Sequence, residues 1–208
     1  MRAVKVIVFD CDGVLFDTKK ANMAYYNQLL NQFNRPPMTP EQFTYTHMHT
    51  IDESLAYLFD DVKILDSVRA YRKHMNYSPF LKIMEIEPYL KPLLKRLRPK
   101  YKTAIATNRT DTVKSVLSQH GLEQNFDLVV TALDVVHPKP HPDQLHKILD
   151  YFAIEPRHAI YVGDSELDQK AANAAGVTFV AYNNDAISAE YYIKSLIELE
   201  QILGNKDL

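Results

Sequence analysis

The residues best equipped for chemistry stand near the start of the chain. The apolar run "VIVF" (6–9) leads directly into Asp10 and Asp12, with Asp17 a few residues on. Carboxylates this close repel one another unless a cation sits among them, and oxygen-only donors suit a hard ion such as Mg²⁺. Three more stretches carry reactive or charged groups just after an apolar run. They are "TN" with Thr107 and Asn108, "HPKPHP" with Lys139, and "GDSELD" with Asp164 and Asp168. A lysine beside carboxylates and a divalent ion describes a site for a dianionic phosphate. In such a site one aspartate can attack phosphorus and form an aspartyl phosphate.

The elements that must position these groups are legible from hydrophobic patterning. The runs 5–9, 103–107, 127–133, 159–163 and 178–182 lack strict polar alternation, as strands covered on both faces do. Helical stretches at 111–121, 142–152 and 168–176 separate them, the first and last stopping at Gly121 and Gly176 and the middle one starting at Pro142. This alternation predicts an α/β fold, a Rossmann-like core whose central parallel sheet is flanked by helices. In an open parallel sheet ligands bind at the carboxyl ends of strands, where all four reactive stretches fall. Residues 18–86 differ. They contain no β-like run, Tyr26, Leu30 and Phe33 recur at helical spacing, Thr50 and Glu53 form a capping-box pattern, and 68–75 is again helical. An all-helical domain is therefore expected as an insertion at 18–86, with Pro79 and Pro88 bracketing its return. The α/β core is expected to comprise 1–17 and 87–208.

With these motifs in this order, the chain resembles the haloacid dehalogenase superfamily over nearly its full length. The resemblance implies Asp10 as nucleophile, Asp12 as general acid and base, Thr107 and Asn108 as phosphate-binding, and Lys139 as the cation between nucleophile and phosphate. It implies Mg²⁺ held by Asp10, the backbone carbonyl of Asp12 and Asp164, with Asp168 as ligand or outer-shell partner. The helical insert is similar to the C1 cap of phosphoglycolate phosphatases and β-phosphoglucomutases; His47 and His49 lie within it, placed either as loop or surface histidines or to touch substrate. True dehalogenases lack the second aspartate, so Asp12 points to phosphoryl transfer, which needs a proton for the leaving oxygen. The expected activity is Mg²⁺-dependent hydrolysis of a small phosphorylated metabolite, with a phosphosugar mutase as the alternative. Caps of this kind often carry a glycine-containing substrate loop. The segment "YTHMHTID" (45–52) has no glycine, which leaves the substrate open.

Composition removes other classes. The 24 basic and 26 acidic residues are interspersed and give a net charge of -2, so neither nucleic acid nor a membrane surface is an expected partner. A single cysteine, Cys11, excludes an internal disulfide and fits a cytoplasmic setting. Cysteine-phosphatase chemistry would need an arginine a few residues beyond Cys11, where position 17 is Asp. The five glycines form no Gly-x-Gly, and no P-loop occurs. His137 and His141 share i, i+4 spacing, but Pro138 and Pro140 keep them off one helix face, against a zinc site. A receiver domain also uses strand-end aspartate, threonine and lysine, but is shorter and lacks the helical insert. Arg109, next after "TN", is placed to reach either a substrate anion or solvent. Oligomeric state is not encoded in any of these features.

Overall fold

The computed structural model describes residues 4–204, so the outermost residues of the expected core, 1–3 and 205–208, lie outside the described residues. The chain divides into two compact units, one formed by residue 17 to residue 85 and the other by the chain on either side. In order, β1 (Val6–Phe9) and β2 (Phe16–Asp17) precede five helices. These are α1 (Lys19–Gln32), α2 (Pro40–Met48), α3 (Ile51–Leu58), α4 (Val62–His74) and α5 (Ser78–Leu81). After β3 (Glu85–Ile86) and α6 (Leu90–Leu97) come β4 (Lys102–Thr107), α7 (Val113–Gln119), β5 (Leu128–Thr131) and α8 (Asp143–Tyr151). The chain then runs through β6 (Ala159–Gly163), α9 (Glu166–Ala175), β7 (Thr178–Tyr182), β8 (Tyr191–Ile193) and α10 (Leu199–Gly204).

Six strands form one parallel sheet in the order β5-β4-β1-β6-β7-β8. β1 is fully buried on both faces, because Val6 and Val8 point one way, Ile7 and Phe9 the other, and all are covered. On the Val6/Val8 face, Leu145, Ile148 and Leu149 of α8 and Ala171, Ala172 and Ala175 of α9 join one apolar cluster with Ala104, Ala106, Tyr161 and Phe179. The alanines let α9 approach the sheet closely, and each buried Leu or Ile contributes on the order of 1.5–3 kcal/mol. The insert is helical throughout α1–α5. Its α3 starts at the expected capping box, with Thr50 N–H donating to Glu53 Oε2 at 2.9 Å and Glu53 N–H to Thr50 Oγ1 at 3.3 Å. Among the described residues, no helix is long and apolar enough to cross a membrane.

One local expectation needs correcting. The run expected as a strand over 127–133 ends at Thr131, because Thr131 caps a 3₁₀ turn through Leu133 and Asp134. The C-terminal stretch "EYYIKSLIELEQIL" first forms the edge strand β8, as its Tyr-Tyr-Ile composition favours, and becomes α-helical only at Leu199. Pro79 sits inside the first turn of α5, a position where its missing N–H costs nothing, and the boundary between the units at residues 85 and 86 falls between it and Pro88.

Gly176 ends α9 in the left-handed region, at φ +68°, where an added Cβ would meet only Pro156 at 3.7 Å. The penalty for Gly176→Ala is therefore conformational rather than steric, about 1 kcal/mol. Thermal melting should drop by roughly 2–4 °C for a chain of this size, with enzymatic turnover unaltered. An unchanged midpoint would show that the helix end relaxes around the substitution.

Candidate active site

Register brings the reactive residues together. Phe9 pairs with Ile105 on one side and Val162 on the other, so Asp10 lies level with Ala106 and Gly163, and its N–H donates to the Val162 carbonyl at 2.9 Å. Chain order reverses at β1, with β4 and β5 to one side and β6, β7 and β8 to the other. That reversal opens a crevice at the carboxyl ends, and Asp10, Asp12, Thr107, Lys139 and Asp164 all follow or end strands there.

Lys139 lies at the centre, its side chain only 3% exposed. Its Nζ is 2.8 Å from Asp10 Oδ1, 2.6 Å from Asp168 Oδ1, and donates to the Tyr161 hydroxyl at 3.0 Å. The contacts to Asp168 and Tyr161 are hydrogen bonds, whereas the contact to Asp10 is an ion pair that leaves Asp10 Oδ1, buried, without a hydrogen-bond partner. Asp168 is saturated: Oδ1 also accepts from Tyr161 at 2.5 Å, and Oδ2 accepts from the N–H (3.1 Å) and hydroxyl (2.5 Å) of Ser165. Ser165 in turn accepts from Asp168 N–H at 3.2 Å, the capping box that starts α9. Burial would push Asp168 up, but Lys139 and these donors hold its carboxyl below the usual range. Lys139 shows the converse, since Asp10 and Asp168 outweigh burial and raise it.

The remaining carboxylates are less well compensated. Burial, reinforced by Asp168 and Asp12, pushes Asp10 up to about 7 despite Lys139. Asp164 rises well above the carboxylate range through burial and the charges of Asp168 and Asp10. One oxygen each from Asp10, Asp164 and Asp168 lies within 4.8 Å of the others. Four carboxylates, counting Asp12, share two cationic side chains, Lys139 and Arg109. That excess of two negative charges and an all-oxygen donor set fit one divalent hard cation. The cradle is sterically specific. An added Cβ at Gly13, where φ is +79°, would lie 2.0 Å from Asp164 Oδ2, and one at Gly163 would lie 2.4 Å from Asp168 Cβ.

A second set of bonds fixes the surrounding loops. The Asn108 side chain donates to the Lys139 carbonyl and accepts from the Lys139 N–H, both at 3.0 Å, so the amide expected to bind phosphate is committed to the Lys139 backbone. Thr107 is buried; its hydroxyl accepts from Arg109 N–H at 3.1 Å and its carbonyl from Gln144 Nε2 at 2.7 Å. The Asp164 carbonyl accepts from Asn184 Nδ2 at 2.8 Å. Arg109 points neither to solvent nor outward: Nε donates to Asp12 Oδ2 at 3.0 Å and Nη2 to Asp12 Oδ1 at 2.5 Å. Cys11 is buried, and burial raises its thiol, with the Asp12 charge adding to the effect, so it holds no nucleophilic thiolate.

His47 and His49 belong to the helical unit. His47 Nδ1 accepts from Asn22 Nδ2 at 3.1 Å and its ring stacks on Phe43, whereas His49 Nδ1 donates to the Tyr45 carbonyl at 2.9 Å and its ring stacks on Tyr45. His137 pairs with Asp143 at 3.2 Å on the surface, and among the described residues it joins no three-ligand group. Sequence reasoning missed Tyr161, Gln144 and the Arg109–Asp12 pair. Ser165 was detectable, because Ser-x-x-Asp before an apolar run is a capping pattern.

Gly163→Ala tests the closeness of this packing. Its Cβ must displace Asp168, an overpacking cost of about 1–3 kcal/mol, and disturb the Lys139 anchor. Both melting temperature and hydrolytic turnover should fall, unlike Gly176→Ala, where only stability moves. Full activity in Gly163→Ala would show that Asp168 tolerates displacement.

The family model for haloacid dehalogenase-like hydrolase matches residues 7–182. Pyrophosphatase PpaX of Bacillus cereus is 26% identical over 216 residues, covering 97% of both chains. The solved structure of a HAD-superfamily hydrolase, subfamily IA, from Geobacter sulfurreducens shares 34% identity with a TM-score of 0.79, over 97% of both chains. The β-phosphoglucomutase of Clostridium difficile, 19% identical, shares the fold with a TM-score of 0.82 over 98% of this chain and 97% of its own. A strand-end cluster of buried lysine and aspartates on this sheet, matched by the family model over most of its length, makes the chain a member of the haloacid dehalogenase-like hydrolase family.

Proposed function

We propose that the chain is a Mg²⁺-dependent phosphatase that hydrolyses a small phosphate substrate through an aspartyl phosphate on Asp10. The observation carrying this reading is the Asp10 carboxylate, fixed 2.8 Å from a buried lysine that is itself anchored by Asp168 and Tyr161. In the first step an Asp10 oxygen bonds to phosphorus while the bond from phosphorus to the leaving oxygen breaks, and Asp12 gives that oxygen its proton. In the second step Asp12 takes a proton from water as the water oxygen bonds to phosphorus and the Asp10–phosphorus link breaks, releasing phosphate. Lys139 offsets charge on the nucleophile and on the phosphoryl oxygens, and the Thr107 hydroxyl binds the transferring group. Asn108 acts through the loop it holds.

Asp10, Asp164 and the Asp12 carbonyl would hold Mg²⁺, with Asp168, saturated by protein donors, behind them. When bound, the ion neutralises the carboxylates and orients a phosphate oxygen. Two substrate readings share these residues. The sequence resemblance favours a phosphomonoester of the phosphoglycolate kind. The pyrophosphatase relatives, aligned over 97% of both chains, favour pyrophosphate. A phosphosugar mutase would use the same nucleophile and differ in product, an isomer formed with a bisphosphate primer instead of inorganic phosphate.

Phosphate release from a panel of phosphorylated metabolites and pyrophosphate decides among these. Asp10→Asn should lower turnover by at least about a thousandfold on every substrate while the melting curve survives; a tenth of wild-type activity would remove Asp10 from the nucleophile role. Exhaustive chelation should abolish phosphate release and Mg²⁺ should restore it. Full activity in the chelated protein would overturn metal dependence.

A further inference from the structure

We propose that Arg109 is a positioning residue for Asp12, setting the direction in which that side chain faces the leaving oxygen. The proposal rests on the reading of Asp12 as general acid. The guanidinium meets both Asp12 oxygens, Nε at 3.0 Å and Nη2 at 2.5 Å, and its third nitrogen, Nη1, donates to Thr112 Oγ1 at 2.9 Å. Its own N–H donates to Thr107 Oγ1 at 3.1 Å. The arginine is therefore anchored on the N-cap residue of α7 and on the end of β4, and it presents a fixed fork to Asp12.

Three physical points carry the argument. First, the side chains are only 6% and 15% exposed, and a buried pair is a poor investment in stability, because desolvation offsets most of its attraction. What a two-bond fork supplies is direction, which a single ammonium cannot. Second, Asp12 needs holding. It stands two residues from Asp10, and like charges that close repel, which works to displace its side chain. Arg109 opposes that displacement. Third, the backbone leaves the side chain to be placed by other means. Asp12 lies in a tight turn closed by Leu15 N–H to the Cys11 carbonyl at 3.0 Å and Gly13 N–H to the Phe16 carbonyl at 2.8 Å, which fixes the main chain but not the carboxylate.

Leaving-group chemistry separates this role from others. An alkyl phosphate needs a proton on its departing oxygen, whereas p-nitrophenolate leaves without one. Turnover of glycerol phosphate and of p-nitrophenyl phosphate is measured with Mg²⁺ for the wild type, Asp12→Asn, Arg109→Lys, Arg109→Met and the double variant Asp12→Asn/Arg109→Met. The expected result is a kcat for Arg109→Met that falls on the order of tenfold to a hundredfold further on the alkyl ester than on the aryl ester. Arg109→Lys should be intermediate, and Arg109→Met should add nothing once Asp12 is Asn. The ratio of the two substrates within one preparation is insensitive to any unfolded fraction, so a loss of fold cannot imitate it. An equal fall on both esters, or additive effects in the double variant, would overturn the positioning role. No asymmetry in Asp12→Asn itself would overturn the general-acid reading, and this inference with it. Asymmetry in Asp12→Asn alone would remove only the inference. No turnover of either ester by the wild type would overturn the phosphatase reading for these esters and the proposal together.

Discussion

A buried ammonium among carboxylates organises this protein's core. Lys139 reaches Asp10 Oδ1, Asp168 Oδ1 and the Tyr161 hydroxyl within 2.6–3.0 Å, and each partner comes from a different element. Asp10 follows β1, Tyr161 lies within β6, and Asp168 stands in the first turn of α9. A charge in this setting is tolerable when its donors and the acceptors near it are answered, and here only Asp10 Oδ1 is left with an ion pair and no hydrogen bond among the contacts of Lys139. Ser165 answers the second oxygen of Asp168, and Asn108 pins the backbone on which Lys139 is carried. Strand register, helix capping and loop conformation thereby all converge on one side chain.

Close approach is the second constraint, and it is met by the absence of side chains. Gly163 leaves room for Asp168 and Gly13 for Asp164. Below them, Ala104, Ala106, Ala171 and Ala172 allow α9 to lie near the strands, so that its first turn can deliver Asp168 to Tyr161 and Lys139. The site and the packing beneath it are one arrangement, because a methyl added above the sheet would displace the same helix that seals it from below.

Much of this was legible in the sequence because strand-end chemistry follows from pattern. Apolar runs located the buried strands of the core, and Asp10, Thr107, Lys139 and Asp164 then had to fall at their carboxyl ends. The edge strand β8 escaped because it is three residues long, half exposed and followed by helix-favouring residues. Tyr161 escaped for the opposite reason. In "AIYVG" it reads as one more bulky strand residue, and only three-dimensional pairing shows its hydroxyl among charges. Arg109 could be placed near the site by its position after "TN", but its partner lies 97 residues away in sequence. Side-chain pairings of that range leave no periodic trace.

The two cations divide the acidic cluster unequally. Asp168 and Asp10 share Lys139 and Asp12 has Arg109, while Asp164 has no lysine or arginine within ion-pair distance among the described residues. Its carboxyl is accordingly raised by burial and by its acidic neighbours. A divalent ion would meet a pair of oxygens beside Asp10 and Asp164, and would draw both carboxyls back to the charged form. A phosphate dianion is repelled by carboxylates in that form. A divalent cation beside Asp10 and Asp164 would thus favour an anion at the same strand ends, where Lys139 Nζ lies 2.8 Å from Asp10 Oδ1.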